Sequence, residues 1–198
     1  MASMFESLVD VVVDSSWVYA LIVAVAALDA VFPLVPSEAT VIAAAALTGA
    51  GELSFGLVLL AGAAGAVLGD NAAYLLGRAG QRSLMRRLLR SPTWADRVGR
   101  AESRLRERAG TIIVVSRFVP GGRTATMLTA GLVGLPWRRF FAYDLVAGAF
   151  WASYASTIGL VGGKTFADEP LHALLLAFGL AAALMLAIES ARRLVHTG

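Results

Sequence analysis

Residues 116–124 read Ser116-Arg117-Phe118-Val119-Pro120-Gly121-Gly122-Arg123-Thr124, inside a segment otherwise apolar enough to enter a membrane. A helix does not run through this stretch unbroken. Pro120 lacks an N–H and disfavours the helical region for the residue before it, while Gly121-Gly122 removes the remaining stiffness. Backbone groups freed at membrane depth need a protein-lined or watery cavity, because hydrocarbon offers them no partner. Arg117 and Arg123 bracket the break, and a guanidinium is a poor lipid-facing group but a good oxyanion ligand, a planar fork of donors that stays charged. The stretch predicts a phosphate-recognising site within a membrane.

Composition agrees with a membrane setting. Of 198 residues, 58% are hydrophobic and 16% charged, too few polar groups to cover a soluble globule of this size. The absence of cysteine excludes disulfides and thiolate metal sites or nucleophiles, and no clustered metal site or cofactor motif is expected. A net charge of +3 is weak evidence for nucleic acid, and none is expected as a partner. Met1 to Asp14 carries Glu6, Asp10 and Asp14 but no basic residue, unlike the n-region of a signal peptide, so the first hydrophobic segment is expected to be retained.

Outward from the break, the chain reads as an all-α integral membrane protein forming one domain over 1–198. About four spanning helices are expected, with two opposed re-entrant helices. After an interfacial segment, 1–16, Trp17 to Pro36 forms the first span, which Pro33 and Pro36 end or kink. Ala39 to Gly49 is too short to cross and predicts a re-entrant helix. Leu53 to Arg78 is the second span, rich in small residues that permit close packing. Residues 79–109 form a cytoplasmic amphipathic segment: between Arg78 and Arg108 the chain holds ten Arg against Asp96, Glu102 and Glu107, with a turn at Ser91-Pro92 and Trp94 suited to the interface. The interrupted segment begins at 111, a third span covers Phe140 to Gly162, and Leu171 to Ile188 is the last, within 171–198.

Basic residues in short loops set orientation. With the arginine-rich segment cytoplasmic, Arg138-Arg139 and Arg192-Arg193 fall on the same side, as do both termini. The half 36–78 then runs inward and the half 111–162 outward, an inverted repeat. Pro36-Ser37-Glu38-Ala39-Thr40 and Pro120-Gly121-Gly122-Arg123-Thr124 support it, each a proline followed by small residues and one charge.

Charges at membrane depth are Asp29, Glu38, Asp70, Arg117, Arg123 and Asp144, and each must pair or face water. One reading is structural, with carboxylates neutralising arginines in static bridges. In the functional reading Arg117 and Arg123 receive an anionic headgroup while Glu38 and Asp70 compete for them or exchange protons. Asp29, Glu52, Asp144 and Tyr74 are accessory candidates. Tyr143, Trp151 and Tyr154 read more readily as packing or interface residues than as a lipid path.

Phe32-Pro33 through Pro36 and Glu38, Gly49 to Leu53, Gly69-Asp70 with Tyr74 and Gly77-Arg78, and Ser116 to Pro120 through Arg123 to Ala130-Gly131 occur in order across residues 30–160. Together they resemble the DedA family. The resemblance implies bacterial inner (plasma) membrane proteins with opposed re-entrant helices that translocate lipids, notably by recycling a polyprenyl-phosphate carrier such as undecaprenyl or decaprenyl phosphate, with dependence on proton motive force. It implies functional roles for Glu38, Arg117 and Arg123, and for a second acid, either Asp70 or Glu52. Ser37 departs from the family's Pro-Gly-acid pattern, and Gly-Gly separates Pro120 from Arg123.

The leading expectation is thus a lipid flippase for polyprenyl phosphate, with a broader phospholipid scramblase next. A proton-coupled exporter of small cations is the second class, because carboxylates within spans serve as cation and proton sites. A lipid phosphatase is not expected, since His172 and His196 lie outside the arginine break and no Cys is present. A passive scaffold and a homo-oligomeric assembly stay open.

Overall fold

The computed structural model describes residues 17–32, 35–49, 51, 53–119 and 121–165. Residues 1–16, Pro33, Glu52, Pro120, the last expected span with its basic pair, and both histidines lie outside the described residues. Six helices form the described part, which contains no strand: α1 (Trp17–Val31), α2 (Ser37–Gly49), α3 (Phe55–Leu88), α4 (Pro92–Ser116), α5 (Gly122–Leu132) and α6 (Trp137–Thr165).

Two of these helices, α3 and α6, are long and apolar enough to cross a bilayer. Four such spans were expected. The helix α1 is apolar but only 15 residues long, about 22 Å at the α-helical rise, and the fourth expected span falls outside the described chain. The second span also outruns its expected end at Arg78. With 34 residues α3 extends about 50 Å, further than hydrocarbon is thick, so its last turns carry Arg82, Arg86 and Arg87 past the apolar zone.

Helix α3 stops where Ser91-Pro92 begins a new one, with Ser91 extended as the cap and Pro92 in the first turn, where a missing N–H costs nothing. The arginine-rich segment is therefore shared between the end of α3 and the start of α4. Helix α4 continues through a kink at Arg108, whose backbone is non-helical, to Ser116.

At the predicted break the chain tightens before it turns. The N–H groups of Arg117, Phe118 and Val119 each reach a carbonyl three residues back, and Gly122 N–H donates to Val119 C=O at 2.7 Å. Gly121 sits at φ +68°, a left-handed conformation that a residue with a Cβ rarely adopts, and caps α5. Thr124 then donates its hydroxyl to the Ala30 carbonyl at 2.8 Å, tying the start of α5 to the end of α1.

Packing partners cross between the halves. The short helix α2 lies on α6, the short helix α5 lies on α3, and α3 meets α6 between them, while α1 packs along α3. Glycines allow the backbones to touch: a Cβ on Gly65 or Gly69 would collide with α1 carbonyls, and one on Gly159 or Gly163 with α2 carbonyls. Two apolar clusters result. One gathers Ile22, Val41, Val58 and Trp151, the other Tyr74, Ile113, Met127 and Phe140. Along α3 the passage from the first to the second, Ala66 to Ala73, carries the fully buried Asp70.

Candidate functional site

Asp70 is the centre of the site. Its Oδ2 accepts from Arg117 Nη2, and its Oδ1 accepts from Arg123 Nε at 2.6 Å, so the two arginines that bracket the break converge on one carboxylate. The turn at 117–122 makes this geometry possible, since it reverses the chain between the two guanidiniums. Arg117 Nη2 also reaches Asp144 Oδ1 on α6 at 2.7 Å. Arg123 donates to the Ala66 carbonyl at 3.0 Å and to Asp29 Oδ2 on α1 at 3.3 Å, with its guanidinium 6.0 Å from the Trp151 ring centroid.

Two neutral residues extend the network. Ser37, at the start of α2, donates to Asp29 Oδ2 at 2.6 Å, and Asn71 on α3 donates to Asp144 Oδ2 at 3.2 Å. Beyond Asn71, Trp137 at the start of α6 donates its indole N–H to the amide oxygen at 2.9 Å. A single chain of hydrogen bonds thus runs Trp137, Asn71, Asp144, Arg117, Asp70, Arg123, Asp29, Ser37, and takes members from all five helices α1, α2, α3, α5 and α6 and from the cap of α4.

Exposure of the charged members rises from Asp144 to Asp29. The side chains of Asp144, Arg117 and Asp70 are 0%, 1% and 0% exposed, Arg123 is 11% and Asp29 21%. The three central groups are enclosed, and the network meets the surface on both sides of them, through Asp29 at one side and through Trp137, 49% exposed, at the other. Two donors of the enclosed Arg117, Nε and Nη1, have no protein partner among the described residues. A buried guanidinium normally satisfies its donors, so an unused pair calls for an explanation.

The sequence candidates separate accordingly. Asp29 and Asp144, ranked as accessory, belong to the network with Arg117, Arg123 and Asp70. Glu38 does not pair with either arginine; it is exposed at the start of α2, where it faces the Tyr154 hydroxyl and lies near Asp29. Tyr74 lies outside the network: its hydroxyl donates to the Leu135 carbonyl at 2.6 Å and its ring stacks on Phe140. Ser37 stood out in the sequence as a small residue of the repeat and a departure from a motif, not as a site residue, and Asn71 not at all, although it directly follows Asp70. No group of three or more metal-ligating side chains occurs among the described residues.

Apolar helices, two of them long enough to cross a bilayer, enclose a buried arginine–aspartate network, the arrangement of a membrane protein. Residues 35–161 match the model of the VTT domain, and the chain belongs to that family, the DedA group its motifs resemble. It is 30% identical over 142 residues to the uncharacterized membrane protein slr0232 of Synechocystis, covering 70% of this chain and 64% of that one. Over 117 residues it is 31% identical to the inner membrane protein YohD of Escherichia coli, 59% of either chain. Identity to YabI, another inner membrane protein of Escherichia coli, is 28% over 165 residues, 80% of this chain and 64% of that one. The chain thus spans about three fifths to two thirds of the length of these curated relatives. No solved structure matches it.

Proposed function

We propose that this protein translocates a lipid with a phosphate headgroup, most specifically a polyprenyl phosphate, and that proton movement through the carboxylates drives the cycle. The observation that carries the proposal is the buried Arg117, bridged to Asp70 and Asp144 yet holding two donors that no group among the described residues uses. A phosphate oxygen suits a guanidinium donor left unpaired in this way, and the lipid tail remains in the bilayer while the head follows the polar network. In this reading α2 with α3 and α5 with α6 are the halves of an inverted repeat, the short helices being re-entrant, and the arginine-rich ends of α3 and α4 face the cytoplasm.

Protonation supplies the switch. Asp29, Asp70 and Asp144 are three carboxylates against two guanidiniums, an excess of one negative charge that a proton or a cation balances. Neutralising a carboxylate releases an arginine donor for phosphate; restoring its charge recaptures the donor and expels the headgroup. Desolvation and neighbouring cations act on such a carboxylate in opposite senses, the condition for a titratable gate. Exposed Glu38, beside Asp29, delivers protons to it.

The test is reconstitution into vesicles with labelled polyprenyl phosphate or phosphatidylethanolamine under an imposed pH gradient. Polyprenyl phosphate is expected to move faster, with dependence on the gradient, and Glu38→Gln is expected to weaken that dependence while leaving the fold intact. Movement of neither lipid refutes the proposal. The same carboxylate excess favours one other reading, export of a small cation against protons, because the arginines are already neutralised internally. Substrate-evoked pH changes in lipid-inactive vesicles identify it.

A further inference from the structure

Asn71 makes three hydrogen bonds from one amide. Its nitrogen donates to the Val67 carbonyl at 2.8 Å and to Asp144 Oδ2 at 3.2 Å, and its oxygen accepts from the Trp137 indole at 2.9 Å. The orientation is over-determined. Turned by 180°, the amide would set its oxygen against two acceptors and its nitrogen against a donor. Asp144 is equally committed, with Oδ1 on Arg117 and Oδ2 on Asn71. On the outer side Trp137 is 49% exposed, the first residue of α6, and stacks on Phe141 at 5.2 Å.

We propose that Asn71 is a positioning residue that holds Asp144 in the Arg117 pair and relays the state of that enclosed pair to Trp137 at the exposed start of α6. The relay follows from the amide's geometry. When Asp144 Oδ2 stops accepting, because the carboxylate swings away or Arg117 takes another anion, the nitrogen of Asn71 loses one of its two acceptors. The amide is then held by Val67 and Trp137 alone and re-seats between them, which changes the bond its oxygen accepts from the indole. Because α6 begins at Trp137, directly after Pro136, the change reaches the start of that helix. The charged groups that bias this element are Asp70 from α3, Arg117 from the cap of α4, Arg123 from α5 and Asp29 from α1. The consequence for transport rests on the lipid-translocation reading; the coupling itself does not.

The experiment uses the full chain in lipid nanodiscs with 5-fluorotryptophan at its four tryptophans, read by fluorine NMR. The Trp137 resonance is the one that disappears in Trp137→Phe. Arg117→Lys, which contacts neither Asn71 nor Trp137, is expected to move that resonance in the wild-type background and to leave it unmoved in the Asn71→Ala background. Asp70→Asn perturbs the same pair and serves where Arg117→Lys does not fold. An unmoved resonance in both backgrounds, or the same displacement in both, overturns the proposal. In vesicles, Asn71→Ala is expected to slow lipid transfer about five-fold, the scale of one hydrogen bond's net contribution. Coupling with undiminished transfer overturns the functional half of the inference. Coupling in a wild-type protein that moves no lipid refutes the translocation reading alone and leaves the relay standing.

Discussion

Replacing Arg117 by methionine keeps an unbranched side chain as far as the position of Nε and removes the charged end. The guanidinium is 1% exposed and its two partners, Asp70 and Asp144, are each 0% exposed, so water cannot take its place without the helices parting. Breaking a buried ion pair by deleting one member costs about 3–5 kcal/mol, because the partner is left charged in a poorly solvating site. Here two partners are involved. Asp70 keeps Arg123, whereas Asp144 keeps the amide of Asn71 and faces the Asp70 carboxylate, so most of the cost falls on Asp144. Arg123→Met is expected to lose less, since its guanidinium is 11% exposed and Asp29 is 21% exposed. The double variant Arg117→Met/Asp144→Asn removes the stranded charge and is expected to regain more than half of the loss, an interaction energy that non-additivity measures directly. Denaturant titration in detergent, followed by circular dichroism, provides the assay. A loss below about 1 kcal/mol, the range of a solvated surface pair, or a double variant no better than the single, refutes the argument that Arg117 is enclosed between carboxylates.

Gly69→Val is expected to abolish the α1–α3 contact, because its Cβ alone would strike the Ala27 carbonyl and the Ala30 side chain; Gly56→Ala, with nothing within 4 Å, is expected to be neutral or stabilising by up to about 1 kcal/mol. Comparing the yield and melting of monodisperse protein tests both. Tyr74→Phe removes a buried hydroxyl that serves the Leu135 carbonyl but keeps the ring on Phe140, so unfolding measurements are expected to show a loss of about 1–2 kcal/mol, with lipid transfer by the folded protein unchanged.

Much of the architecture was legible because its signals are local. A proline with two glycines between arginines announces a break, Ser91-Pro92 announces a helix start, and a 13-residue apolar helix after Pro36 follows from run length. The ends of α1 and α3 were less legible. Apolar composition continues past Val31 into the proline-containing segment, and the helix of α3 continues past Arg78 because arginine is a good helix former whatever solvates it. At the site, the charged residues stood out against an apolar background, but their pairing did not. Asp70 meets Arg123 across 53 positions and Asp29 meets it across 94, separations that no periodicity encodes. Asn71 carries no charge, so its part in holding Asp144 emerges only once α3 and α6 are placed side by side.

The crossing of the halves has a consequence for biosynthesis. Asp70 leaves the ribosome 47 residues before Arg117 and 53 before Arg123, an interval of roughly 3 to 10 s at ordinary elongation rates. Through that interval α3 carries an uncompensated acid and α2 lacks the surface of α6 on which it rests. A carboxylate without a counter-ion at bilayer depth costs a few kcal/mol, so the nascent amino-terminal half needs shelter at the insertion machinery until its cations arrive. Helix insertion and final assembly are thereby separated in time, and the ion network closes only after the second half has been made.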